Sequence, residues 1–328
     1  MKMNTKKKEF LRVVPSAARR GIIGAILALP LLFAFEGNLS AAAPAAAPKQ
    51  ETFSSPKAAA EALITAAARF DVPALAKILG PDGINLVTSK DAVQDRNQAG
   101  AFARRALEKH EIVPDKKHPG RMILVIGDED YPSPIPIVKA AKGWRFDSKA
   151  GAQEILYRRI GHNELDAIQI CEGYVEAQRE YAETKHDGSR VNQYAQHIIA
   201  TPGEQNGLAW RTADGKWEGP IGENVANAIA EGYSDKVKPY HGYFFKVLKG
   251  QGPAAHLGQL DFVVEGAMIG GFALVAAPAE YGVTGVKTFI VSHEGVVYEK
   301  DFGDKTLEDF RTMERYNPDK TWKPVKAD

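Results

Sequence analysis

Polar side chains that could do acid–base chemistry cluster near the middle of the chain. His162 and Glu164 follow Gly161, which predicts a break in the helix that would turn both side chains into a groove as a general acid and a general base. Glu180 is a further candidate carboxylate on the same segment. The alternative, which we favour, is that the arginines and carboxylates of the cluster tie the helix to both domains by hydrogen bonds and ion pairs. The other members of the cluster are Arg158, Arg159, Asn163, Gln178 and Tyr181.

A second group of residues could bind a ligand. Tyr240, His241 and Tyr243 are nearly adjacent, and Glu280 and Tyr281 follow later in the chain. Flat aromatic rings bury a large area at little cost in entropy, so rings beside a glutamate can bind a sugar or a peptide. The alternative, which a single sequence favours, is that these rings pack in the core and in turns.

Other kinds of chemistry lack the residues they need. The eight histidines show neither the His-Glu-x-x-His nor the His-x-His spacing of zinc sites. Lys185–Ser189 resembles a calcium loop, but Ile198 stands where an EF-hand requires a carboxylate. Neither a Gly-x-Ser-x-Gly elbow nor a phosphate loop occurs, and the lone Cys171 lies in a helical apolar stripe typical of an inert thiol. We therefore expect no metal and no cofactor.

Composition indicates an ordinary globular chain. Of its 328 residues, 44% are apolar and 25% are charged, enough for one large or two modest domains. Lys and Arg number 42 and Asp and Glu 41, so bulk charge does not favour a nucleic-acid partner. A single cysteine excludes an intrachain disulfide.

The first 43 residues predict export. A basic stretch ends at Arg19–Arg20, an apolar run covers residues 21–35, and small residues follow at 40–43, the order of a secretory signal peptide. The apolar run is shorter than the roughly 20 residues of a spanning helix. We expect cleavage near Ala42 or Ala43, a periplasmic or secreted protein, and no stable membrane span afterwards. An uncleaved anchor is the alternative.

The mature chain reads as an α+β protein, with amino-terminal helices on a small antiparallel sheet, a helical connector and a carboxy-terminal antiparallel sheet domain. The first helices and sheet are similar in order to the cone-shaped folds of the nuclear-transport-factor-like superfamily. The connector carries an apolar stripe at Leu165, Ile168, Cys171 and Val175, and we expect a further short helix through Tyr194 and Ile198. The predicted segments are a signal peptide (1–43), a linker (44–51), an α+β domain (52–149), the connector (150–205), a β-rich domain (206–317) and a frayed tail (318–328).

Several separated motifs resemble one family of exported bacterial proteins, known as domain of unknown function 2950. The resemblance covers essentially the whole mature chain and implies export without implying any activity. The carboxy-terminal half is also similar to pilin-like head domains, although residues 21–26 lack the glutamate that a prepilin requires. The family motifs are RRIGHNEL (158–165), YVEAQREYA (174–182), PYHGY (239–243), FALVA (272–276) and PAEYGVTG (278–285).

These observations favour a non-enzymatic binding or assembly role in the bacterial envelope, with an envelope protein or a glycan as partner. Two other functions stay open. One is a hydrolase of an envelope polymer that uses His162 with Glu164 or Glu180. The other is a structural partner subunit, which would expose an apolar patch and have no pocket.

Overall fold

A computed structural model describes residues 49–89, 91–222 and 239–326 of the chain. Contacts divide the chain into two compact units, with the boundary between Arg158 and Arg159. The mixed α+β class is confirmed. The predicted signal peptide (1–43) and most of the linker lie outside the described residues.

The described part of the N-terminal unit begins with three α-helices, and local sequence determines where each begins. The Ser55 hydroxyl accepts a hydrogen bond from the Ala58 amide, and Pro56 occupies the first turn, as the sequence predicts. Asp71 and Asp91 cap the next two helices through their carboxylates. The helices are α1 (Pro56–Arg69), α2 (Val72–Leu79) and α3 (Ala92–Glu108), with a 3-10 turn at Ile84–Leu86.

A five-stranded antiparallel sheet completes this unit. Its order is β1-β2-β4-β5, and β3 pairs with β2. Leu124, Ile137 and Phe146 are buried in a core shared with the three helices. The small antiparallel sheet predicted behind the helices is confirmed, and none of the residues of its first strand, β1, is buried. The strands are β1 (His110–Pro114), β2 (Arg121–Ile126), β3 (Tyr131–Pro132), β4 (Ile137–Ala140) and β5 (Gly143–Phe146).

One long helix, α4 (Ser148–Tyr181), contains the boundary between the units. The break predicted at Gly161 is therefore wrong. A glycine inside a helix costs only about 1 kcal/mol relative to alanine, which the burial of apolar side chains on the same helix outweighs. The predicted apolar stripe is correct for Cys171 and Val175, which are buried, but wrong for Leu165, which is 56% exposed.

The C-terminal unit is built around a five-stranded antiparallel sheet in the order β17-β16-β15-β14-β9. Every residue of β14 is buried. A smaller sheet has the order β6-β7-β8 and contains a parallel pair, β6 with β7. The elements are β6 (His197–Ile199), β7 (Gly207–Arg211), β8 (Trp217–Glu218), β9 (Tyr243–Leu248), β10 (Gly250–Gln251), β11 (Leu260–Asp261), β12 (Val263–Val264), β13 (Ala267–Met268), β14 (Ala273–Pro278), β15 (Thr288–Ser292), β16 (Val297–Lys300), a 3-10 turn (Gly303–Lys305), α5 (Thr306–Thr312) and β17 (Lys323–Pro324).

Two predictions for this unit are wrong. The helix expected through Tyr194 and Ile198 is extended chain leading into β6. The buried Gln178 side chain donates to the Ala195 carbonyl and accepts from the Ala195 amide, so these two backbone groups are not available to a helix. The tail is not frayed over 318–326 either, because β17 pairs with β16 and Trp322 is buried.

Within the three described ranges, no helix combines the length and the apolar character that a transmembrane span requires.

Candidate functional site

The structure brings part of each candidate cluster together in the C-terminal unit. Residues 162–166 of α4 contribute His162, Asn163, Glu164 and Asp166. The turn before β9 and the loop between β14 and β15, residues 280–287, contact these side chains. We call this assembly the His241 site.

A tight turn presents His241 beside helix α4. The backbone N–H groups of Tyr240 and Tyr243 each donate to the carbonyl of the other, at 2.9 and 3.0 Å, so His241 and Gly242 are the two central residues of a hairpin turn. Both have positive φ, 48° at His241 and 76° at Gly242, as a type I′ turn requires. Histidine tolerates this left-handed conformation better than most residues with a side chain. The imidazole is thus held at a fixed point of the fold.

Asp166 lies between two histidine rings. Its Oδ2 atom is 2.5 Å from Nδ1 of His241 and 3.5 Å from Nε2 of His162. The Asp166 side chain is 15% exposed, whereas those of His241 and His162 are 33% and 75% exposed. The carboxylate therefore orients the His241 ring from inside while part of the ring reaches solvent. Sequence reasoning missed Asp166, although its position four residues after His162 puts both on one helix face.

Glu164 and Asn163 hold the 280–287 loop against the helix. The Oε1 atom of Glu164 accepts hydrogen bonds from the backbone N–H groups of Val286 and Lys287, both at 2.9 Å. The Asn163 side-chain amide donates to the Thr284 carbonyl at 2.8 Å. These contacts give the Glu164 carboxylate a positioning role.

Gly242 is needed for space as well as for conformation. A Cβ atom at this position would lie 2.6 Å from Nδ2 of Asn163 and 3.0 Å from Cβ of Thr284. The turn, the helix and the loop therefore meet at a point that only glycine fits.

The tyrosines of the predicted binding cluster divide between core and surface. Tyr243 is fully buried, its hydroxyl donates to the Lys287 carbonyl at 2.9 Å, and burial raises its pKa. Tyr240 is half-buried and packs edge-to-face on His241, with ring centres 4.4 Å apart. Burial, and then the charge of Asp166, raise the pKa of Tyr240, so its hydroxyl stays protonated at neutral pH. Only Tyr240 and His241 of these three can reach a ligand.

Glu280 and Tyr281 shape the loop rather than converge on His241. The Glu280 carbonyl accepts hydrogen bonds from the amides of Val283 and Thr284, while its own side chain is exposed. Partial desolvation, and then the carboxylate of Asp301, raise the pKa of Tyr281. Both residues belong to the loop that Asn163 and Glu164 hold against α4.

Glu180 does not belong to the site. It lies 16 residues beyond Glu164 on the same helix, which corresponds to about 24 Å along the axis. The neighbouring Tyr181 is structural, since its hydroxyl donates to the Gln205 carbonyl.

The chemistry open to the site is that of an oriented imidazole. Within the described residues, His241 hydrogen-bonds Asp166 and no hydroxyl or thiol nucleophile. No group of three or more His, Cys, Asp or Glu side chains in those ranges could hold a metal ion. The Cys171 thiol is fully buried, and desolvation raises its pKa, which makes it unreactive.

A separate open cleft lies elsewhere in the same unit. It has a volume of about 760 Å³ between residues 199–205 and the β7–β8 hairpin. Trp210, Trp217 and Arg211 form part of its wall, and the Arg211 guanidinium lies 4.4 Å from the Trp217 ring centre. Its size falls in the range of small-molecule sites.

The family model described as "Protein of unknown function (DUF2950)" matches residues 50–325. The chain therefore belongs to this family, which confirms the family that the sequence motifs indicated. No curated protein and no solved structure matches the chain.

Proposed function

We propose that the chain is an exported protein of the bacterial envelope and that it binds a glycan or protein partner there through the His241 site. The observation that carries the proposal is the left-handed His241 turn, whose ring is oriented by Asp166 and packed against Tyr240. A side chain that is fixed before binding loses little entropy when a ligand arrives. The imidazole and the phenol hydroxyl together supply hydrogen bonds to a polar ligand.

Binding is favoured over catalysis because Glu164 and Glu180, the candidate catalytic carboxylates, are not placed as acid–base partners of His162. The hydrolase alternative drew on Glu164 as the partner of His162, but one oxygen of Glu164 already accepts two backbone hydrogen bonds. Glu180 lies about 24 Å from Glu164 along the helix axis, on the side away from His162. The residues proposed as an acid–base pair are thus engaged in holding the loop or are too distant.

The contact between Asp166 and His241 supports a second candidate function. A carboxylate on Nδ1 of a histidine is the arrangement that orients a general base, leaving Nε2 to activate a water molecule or a substrate hydroxyl. In this second function the substrate would be an envelope polymer, as the sequence-based alternative supposed.

Native mass spectrometry of material captured by residues 48–328 from envelope extract tests the proposal. His241→Asn removes the imidazole while keeping a residue that tolerates positive φ. His118→Asn is the matched control, because His118 also contacts an aspartate, Asp115, at 2.9 Å but in the N-terminal unit. We expect the wild type and His118→Asn to retain one partner or glycan, and His241→Asn to retain at least tenfold less.

The same experiment separates the alternatives. If His241→Asn retains as much partner or glycan as the wild type, the His241 site is overturned. If Arg211→Ala loses the ligand instead, the binding site is the open cleft between residues 199–205 and the β7–β8 hairpin. A polymer that is shortened by the wild type but intact with Asp166→Asn would favour the hydrolase. Export is tested by cell fractionation, with a mature N-terminus expected after Ala42 or Ala43; an intact N-terminus in the cytoplasmic fraction would contradict it.

A further inference from the structure

The N-terminal unit contains an apolar cavity that the His241 site does not involve. Its volume is about 200 Å³, and it lies between the three helices and the sheet. Leu75, Leu79 and Ile126 form its buried wall. The half-buried Val87 and Phe102 line the side toward the surface.

The cavity opens in part toward the surface, so a small molecule can enter it. An engineered apolar cavity of about 150 Å³ stays dry and takes up benzene, so about 200 Å³ accommodates roughly eight non-hydrogen atoms. The cavity is therefore large enough, and its lining apolar enough, to hold a small molecule.

Two buried polar residues also line the cavity. Asp95 is 7% exposed and Ser133 is 6% exposed, each among apolar neighbours. The Asp95 carboxylate accepts hydrogen bonds from the backbone N–H of Ser89 at 2.6 Å and from the Ser89 hydroxyl at 2.8 Å. A carboxylate offers about four lone-pair positions, so these two bonds leave about two positions free to accept from a further donor.

We propose that this cavity binds a small, mainly apolar molecule that carries a single hydrogen-bond donor, an alcohol or a primary amine. The hydrocarbon part packs against Leu75, Leu79 and Phe102, and the donor is placed at Asp95. Apolar walls with a few placed polar groups are the usual composition of a ligand site. The proposal does not depend on the function of the C-terminal unit.

Three probes of equal size test the chemistry. Ethylbenzene, benzyl alcohol and benzylamine have the same number of non-hydrogen atoms and differ only at the end of the side chain. Calorimetric titration into the mature chain is expected to give saturable binding, with benzyl alcohol or benzylamine at least fivefold tighter than ethylbenzene. Asp95→Asn is expected to abolish the advantage of benzylamine and to leave ethylbenzene unchanged.

Three variants of α3 test the location and the size of the cavity. Ala99→Phe fills the cavity and is expected to weaken all three probes at least tenfold, whereas Val93→Phe, at a position that is 71% exposed and not part of the lining, is expected to change none. Phe102→Ala enlarges the cavity and is expected to admit 4-phenylbutanol, which the wild type rejects. Absence of saturable binding by the wild type, or equal binding by Ala99→Phe and Val93→Phe, would overturn the proposal.

Discussion

Replacing Glu164 tests whether this carboxylate positions the loop or takes part in chemistry. In Glu164→Ala, the backbone N–H groups of Val286 and Lys287 lose their common acceptor. A buried donor left without a partner costs about 1–3 kcal/mol, and because both residues are half-buried we expect about 2–4 kcal/mol in total. Glu164→Gln keeps a side-chain oxygen and loses only the charge assistance, so we expect about 1 kcal/mol.

Hydrogen exchange of the two amides measures this cost locally. A loss of about 2–4 kcal/mol corresponds to exchange roughly 30- to 1,000-fold faster at Val286 and Lys287 in Glu164→Ala. Glu154→Ala is the control on the same helix, because Glu154 forms an i,i+4 ion pair with Arg158 that contributes about 0.3–0.5 kcal/mol. Exchange within threefold of wild type in Glu164→Ala, or Glu164→Gln as fast as Glu164→Ala, would refute the positioning role.

Three further predictions concern backbone strain, thiol reactivity and alkaline pH. Gly242→Ala is expected to lower the free energy of unfolding in urea by about 2–4 kcal/mol, because it adds a clash with Asn163 to an unfavourable φ. Gly188→Ala, with φ of +67° and open space around it, is expected to lower it by about 1 kcal/mol. Equal losses in the two variants would contradict the packing argument. Cys171 is expected to resist a thiol reagent in the native protein and to react once in guanidinium; native labelling would show that it is not buried. Burial, and then the charge of Asp187, raise the pKa of Tyr181 to about 12, so the folded state keeps a proton that the unfolded chain loses above about pH 10. Stability is therefore expected to fall as pH rises from 10 to 12, and to fall less steeply in Tyr181→Phe; parallel curves would contradict this assignment.

Local signals made most elements of the fold predictable. The cap at Ser55, the aspartates that begin α2 and α3, and the alternation within the later strands are all encoded within a few residues. The errors occurred where distant contacts override local preference. Gly161 continues a helix that is held by packing, and residues 194–198 are extended because Gln178 takes the hydrogen bonds of Ala195.

The candidate site was predictable in its parts but not in its assembly. The sequence indicated both clusters, yet Asp166 and His241 are separated by 75 positions, and no local pattern links them. The role of Glu164 depends on two backbone groups more than 120 positions away, which a single sequence does not reveal. Side chains that bind backbone groups leave no motif, because any residue except proline supplies the N–H.

In-cell photo-cross-linking at the His241 site tests the central claim most directly. A photoreactive benzophenone residue is placed at Glu280, which is exposed beside the His241 turn, and at Tyr157 as a control that is 61% exposed in the N-terminal unit. The account predicts one envelope adduct at position 280 that disappears with His241→Asn, and no such adduct at position 157. The absence of an adduct at position 280, or an adduct that persists with His241→Asn, would contradict a binding role for this site.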